Sequence, residues 1–285
     1  MQQEITFRDQ ATITIDWFKA ETPSEQVILC LPAMGVRASY YHSFAQTLQA
    51  QGITAATADW RGQGTSSLRA SRKVDFGYET LVEDLHQLIG EIRSSLRPTQ
   101  SLLVVGHSLG GQIASLCSAK YPKDIDSLVL LTACLVYYKG WPGWEGQVVR
   151  LAGHLFHPLS RVVGYFPGKI IGFGGREART VMYDWCYNLL YGSYRLANSD
   201  FDYEAGLQRA QLPVLAISLH EDRYAPQQAV ENLRQKFTQT TVSEHLHIKL
   251  GEAHLGKNPH FSWVKNPQKI LPEIIKWSKQ AKKSH

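Results

Sequence analysis

The chain has 285 residues, 44% of them apolar, and a formal net charge of +5 at neutral pH. That length suits one large α/β domain, or a core domain carrying an insertion, and 10 Phe, 7 Trp and 13 Tyr supply material for a sizeable core. No stretch of about 18 uninterrupted apolar residues occurs, so no membrane span is expected.

In chain order, Ile5 to Phe7 and Ala11 to Phe18 alternate like two antiparallel strands. After a turn at Thr22 to Glu25, Val27 to Leu31 forms a short apolar run typical of a buried strand. A helix is predicted around Tyr40 to Gln51, ending at Gly52, and a strand over Ile53 to Ala58. Asp59 to Ser67 is a glycine-rich loop. Tyr78 to Leu96 places Leu81, Leu85, Leu88, Ile89 and Ile92 at helical spacing before Pro98. Ser101 to Val105 is the next strand, Gln112 to Lys120 a helix, and Leu128 to Thr132 another strand. Strands alternating with helices predict a largely parallel sheet.

The alternation breaks between about Cys134 and Tyr203, a segment holding half of the chain's aromatic residues and no convincing buried strand. It is predicted to be an inserted lid over residues 134–203, with a core formed by 1–133 and 204–285. Strand and helix alternate again from Leu212 to Ser218, Pro226 to Phe237, Glu244 to Leu250, and a closing helix from about Pro267. Cys30, Cys117, Cys134 and Cys186 lie far apart among apolar neighbours, which favours buried free thiols over disulfides or metal ligands. With no basic-then-apolar leader at residues 1–10, a cytoplasmic location is expected. The lysine-rich stretch from Lys276 could bind nucleic acid or anionic lipid, but is expected to be a solvated last helical turn, since no nucleic-acid motif accompanies it.

The most informative feature is the G-x-S-x-G pentapeptide Gly106 to Gly110, followed by Gly111. A serine on a sharp strand-to-helix turn is held in a strained conformation, and glycines on either side let the crossing chains approach. Such a hydroxyl needs a base, itself oriented by an acid. In this architecture the acid follows a late strand and the histidine the last one. Asp222 lies directly after the strand ending near Ser218, and His254 directly after the strand ending at Leu250. The rivals are Glu221, beside Asp222, and His260, six residues beyond His254 on an Asn-Pro loop. His245 and His247 lie within the strand, and His107 adjoins the nucleophile without turning back on it. Two backbone N–H groups should hold the oxyanion, one from Leu109 and one from the loop Leu31 to Val36.

On these residues the chain resembles the α/β-hydrolase superfamily over nearly its whole length. Gly106 to Gly111 is similar to that family's nucleophile elbow. Asp59, Arg61, Gly62, Gly64 and Ser66 resemble its D-x-R-G-x-G-x-S loop, with Asp59 and Arg61 in a structural role. The segments around Asp222 and His254 look like its acid and histidine loops, and the aromatic insertion sits where the family places its cap. Where the family has His-Gly before its first oxyanion donor this chain has Pro32 and Ala33. By matching position that makes Met34 the donor, with Ala33 and Gly35 beside it. The resemblance implies an α/β-hydrolase fold: a mostly parallel sheet with helices on both faces and a helical cap. The implied activity is hydrolysis of carboxylic esters of largely apolar groups through an acyl-serine, by Ser108, Asp222 and His254. No cofactor or metal is called for, and a small-molecule ester is the expected partner. An acyltransferase, a thioesterase or an amino-terminal peptidase would use the same triad, the last with a lid carboxylate such as Glu145, Glu177 or Asp184. A binding protein without turnover is the remaining class.

Overall fold

The computed structural model describes residues 1–22, 24–240, 242–252 and 257–281. Among them, eight strands form one sheet in the order β1-β2-β4-β3-β5-β6-β9-β10. β1 (Gln2–Thr6) and β2 (Thr12–Phe18) run antiparallel, and β2 meets β4 antiparallel. From β4 onward all neighbours are parallel: β4 (Thr54–Ala58), β3 (Gln26–Leu31), β5 (Ser101–His107), β6 (Ser127–Leu131), β9 (Val214–Leu219) and β10 (Ser243–Ile248). The expected strands and the mostly parallel sheet are therefore present. The reason is visible in burial. β2 alternates, with Ile13, Ile15 and Trp17 turned inward, whereas β6 and β9 are buried at every position, as strands covered on both faces must be.

Register places the strand ends that matter on one rim. Leu31 of β3 pairs with Gly106 of β5, His107 with Leu131 of β6, Leu131 with Ile217 of β9, and Leu219 with Ile248 of β10. Loops leaving these carboxyl ends converge, which is where open α/β sheets bind ligands.

Helices cover both faces. α1 (His42–Ala50) and the closing helix α10 (Leu271–Ala281) pack Phe44, Leu48, Ile274 and Trp277 onto one side. α2 (Tyr78–Ser94) and α3 (Leu109–Lys120), with α8 (Gln227–Arg234), pack onto the other through Leu85, Ile89, Ile113, Leu116 and Val230. Between β6 and β9 the chain makes α4 (Gly143–Val163), α5 (Gly168–Ile171), α6 (Arg179–Tyr191) and α7 (Tyr203–Arg209). α4 packs on α6, and α7 returns to pack on α3. Although the sequence shows no buried strand in this segment, a two-residue pair is present: β7 (Phe166–Pro167) against β8 (Arg176–Glu177). It is too short to leave a period-two pattern. After β10 a short helix α9 (Pro259–Ser262) precedes α10.

The glycine-rich loop after β4 is closed by charge and sterics together. Asp59 accepts the backbone N–H groups of Ala38 and Thr65, and a Cβ on Gly64 would overlap its carboxylate. Arg61 is buried and binds Asp84 of α2 through two bonds of 2.6 Å, and Asp9 through a further pair. Both residues are therefore structural, tying loop, sheet and α2 together.

Candidate functional site

Ser108 links β5 directly to α3, with φ 52° and ψ −115°, a backbone region non-glycine residues rarely occupy. The turn is this tight because Gly106 and Gly111 approach each other too closely for a Cβ on either strand or helix. Gly110 likewise lies against the Leu31 carbonyl. Ser108 N–H donates to Leu131 O at 3.1 Å, and its carbonyl accepts from Gly111 N–H, starting α3. Leu109 and Gly110 occupy the first turn of that helix, where N–H groups have no intrahelical acceptor.

His107, just before Ser108, is fully buried between Tyr41 and Trp263. The Tyr41 hydroxyl accepts the Ala33 N–H at 2.9 Å and donates to His107 Nδ1 at 2.6 Å. Burial, with His260 close by, holds His107 well below the usual imidazole value, so it stays neutral. The loop after β3 is thereby tied to the elbow. Val36 N–H closes a turn onto Ala33 O, and Gly35 has φ +72°.

On the far side of the rim, Asp222 follows β9 and is buried. Its Oδ1 accepts from Tyr224 and Ala225 N–H, and its Oδ2 lies 2.8 Å from Nδ1 of His260. In this contact the Asp222 carboxylate accepts from Nδ1–H, the tautomer that leaves Nε2 as an acceptor. The histidine that Asp222 binds is thus His260. His254, the sequence expectation for that partner, lies outside the described residues. Asn258 sets the position of His260: its side chain caps α9 by accepting His260 N–H, with Pro259 at the first position. Trp263 and Val264 then anchor the segment in the core beneath His107. An Asn-Pro helix start followed by a buried Trp was the available signal for His260.

The other rivals are committed elsewhere. Glu221 is exposed with φ +64° and lies 3.9 Å from His220. His245 and His247 both bond Ser218 Oγ at 2.8 Å within the sheet.

Ser108, Leu109, Met34 and His260 all line a cavity of about 490 Å³. Its remaining walls are mostly apolar, from the segment between β6 and β9 (Val136, Trp141, Val149, Phe156, Phe173, Trp185) and from the loops after β9 and β10 (Tyr224, Phe261). Arg223 lies at its edge, and no carboxylate is among the described residues lining it. Phe173 and Gly174 belong to a glycine-rich turn that roofs Met34 and Gly35, where the backbones of Gly35 and Gly175 touch.

Two buried carboxylates lie in this region, and Glu177 ties the turn down. Glu177 accepts from Gly175 N–H at 2.8 Å and from Gln63 Nε2, and Asp184 accepts from Tyr78 and Ala197 N–H. Burial pushes each up to about 7. A carboxyl raised in the folded state contributes its stability below the unfolded value, and loses it as pH climbs through the folded one. The window is therefore roughly 4.5 to 7 for Glu177. Glu177→Gln should be more stable than wild type at about pH 8, by up to about 3 kcal/mol, and indistinguishable or weaker at about pH 4. Urea melts at the two pH values read this, and equal stability differences at both would contradict it.

The family model described as "Serine aminopeptidase, S33" matches residues 22–170. A monoacylglycerol lipase of Mycolicibacterium smegmatis is 31% identical over 118 residues, which is 41% of this chain and 41% of the relative. Protein phosphatase methylesterase 1 of Candida albicans is 27% identical over 116 residues, 40% of this chain and 31% of the relative. The chain thus matches well under half the length of these curated relatives. Among solved structures, an esterase from Exiguobacterium antarcticum superposes with a TM-score of 0.64 at 15% identity, covering 98% of this chain and 100% of that one. That likeness establishes a shared fold.

Proposed function

The chain belongs to the S33 serine aminopeptidase family of α/β-hydrolases, and from that premise we propose that it is a serine esterase acting on carboxylic esters of largely apolar groups. The observation that carries this reading is an elbow serine opening into an apolar cavity whose rim holds a buried, carboxylate-oriented imidazole. In this mechanism Ser108 Oγ attacks the ester carbonyl while His260 Nε2 takes its proton. Asp222 keeps the ring in that tautomer and stabilises the imidazolium. Leu109 N–H and Met34 N–H hold the oxyanion. Commitment of Ala33 N–H to Tyr41 favours Met34 as the second donor. The carbonyl then re-forms, the C–O bond to the alcohol breaks, and His260 returns the proton to the leaving oxygen. Water, deprotonated by His260, hydrolyses the acyl-serine by the same steps.

The ester-cleaving names of the two curated relatives support this class. The amino-terminal peptidase reading needs a carboxylate facing the substrate amine. Glu177 and Asp184 are turned to backbone N–H groups instead, and Glu145 faces Arg223 at 3.9 Å.

Fluorophosphonate labelling followed by intact-mass spectrometry tests the nucleophile. One adduct mapped to Ser108, absent in Ser108→Ala, is the expected result. A folded wild-type protein that takes no adduct would overturn the mechanism.

A further inference from the structure

α4 carries apolar residues on two faces. Ala152 and Phe156 face the cavity, whereas Trp144, Val148, Leu151, Leu155 and Val162 follow one another at three-, four- and seven-residue steps. On a helix of 3.6 residues per turn these steps keep all five within one stripe. The stripe is exposed along its whole length, with Trp144 at 73% and Val162 at 74%. Beyond the helix, Ile170 is 87% exposed and Ile171 extends the patch. A contiguous apolar surface of this kind marks an interaction site.

Two features on the same segment identify the occupant. Arg150, His154 and Arg161 form an exposed row along one border of the stripe, and Lys169 adjoins Ile170, while Glu145 is the sole acidic residue of segment 143–172. Along the opposite border, Val148 and Ile171 belong to both the exposed patch and the cavity lining, so the apolar surface runs unbroken into the mouth.

We propose that the exposed face of α4, with Ile170 and Ile171, docks on an anionic lipid bilayer surface. The apolar stripe enters the acyl boundary and Arg150, Arg161 and Lys169 meet the headgroups. A second copy of this chain fits the face less well. Antiparallel packing across a twofold axis would set the basic row against itself, and parallel packing would set it against the partner's apolar cavity border. Docking aims the cavity mouth at the bilayer, so an apolar ester passes from lipid to Ser108 without crossing water. That consequence rests on the esterase reading, while the docking itself does not.

The test is co-sedimentation with large unilamellar vesicles of phosphatidylcholine alone and of equal parts phosphatidylcholine and phosphatidylglycerol. Wild type and Ser108→Ala should bind the anionic vesicles alike, so surface binding is read independently of turnover. The double variant Leu151→Asp with Leu155→Asp should bind about tenfold more weakly or not at all, since it places two charges in the stripe. Arg150→Glu with Arg161→Glu should lose the preference for anionic vesicles. Hydrolysis of a water-soluble short-chain ester should be unchanged in the leucine variant, showing that it is folded. Equal vesicle binding by wild type and the leucine variant would overturn the proposal. So would a wild-type dimer in solution that this variant converts to monomer, which would place a second copy on the face.

Discussion

Replacing His260 with alanine is expected to lower kcat on an apolar aryl ester by roughly 10^5- to 10^6-fold, while His254→Ala keeps a rate close to wild type. The difference follows from the hydrogen bond at 2.8 Å that joins His260 Nδ1 to a buried Asp222 already held by two backbone N–H groups. That carboxylate fixes the ring's tautomer, so removing the ring removes both the base and the group that returns the proton. Asp222→Asn, which leaves the contact but inverts its polarity, should cost about 10^4-fold. Steady-state rates for the three variants, with circular dichroism to confirm folding, decide the matter. Loss of activity in His254→Ala with activity retained in His260→Ala would assign the base to the segment following β10 and overturn the role given to His260.

The second large effect concerns stability. Arg61→Met should lower the free energy of unfolding by about 3–5 kcal/mol, because it strands a buried carboxylate. Asp84 is almost fully enclosed, and burial pushes its carboxyl above the usual value even with the guanidinium in place. Without Arg61 the carboxyl must stay charged and unpaired or take up a proton. The double variant Arg61→Met with Asp84→Asn should recover a good part of the loss, since it removes both charges. Asp9, the other partner, has a side chain 55% exposed and is held below its ordinary value by Arg61. Its contribution is present above the ordinary carboxylate range and fades as pH falls through the lowered value, and water screening keeps it small. Denaturant melts of the single and double variants check this. Additive losses would place the stabilisation elsewhere than in the Arg61–Asp84 pair.

Much of the fold was legible in sequence because it rests on local pattern. Inward Ile13, Ile15 and Trp17 on β2, the mostly apolar runs of β6 and β9, and the heptad-like spacing on α2 each carry their own local pattern. The strand pair β7–β8 was not legible, since two residues per strand leave no period to read. The free, buried state of all four cysteines followed from their apolar neighbours. The roof over Met34 and Gly35 was hidden for another reason. It is made by Gly174 and Gly175, far along the chain, and glycine has no side chain to announce a partner.

The elbow at Ser108 was legible in the sequence because strand, sharp turn and helix are adjacent there and the Gly106–Gly111 approach is made within that turn, and Asp222 was marked by its place directly after β9. Which histidine meets Asp222 was decided only by tertiary structure. Both candidates follow the last strand, and position directly after it favoured His254 in the sequence. The Asn258 cap and the burial of Trp263 and Val264 in the core beneath His107 bring His260 to the acid. The same is true of the loop after β3, proposed to hold the oxyanion. Ala33 and Met34 are alike in sequence as backbone donors, and the difference between them is made by a tyrosine hydroxyl from the next helical turn, Tyr41, which takes up the Ala33 N–H.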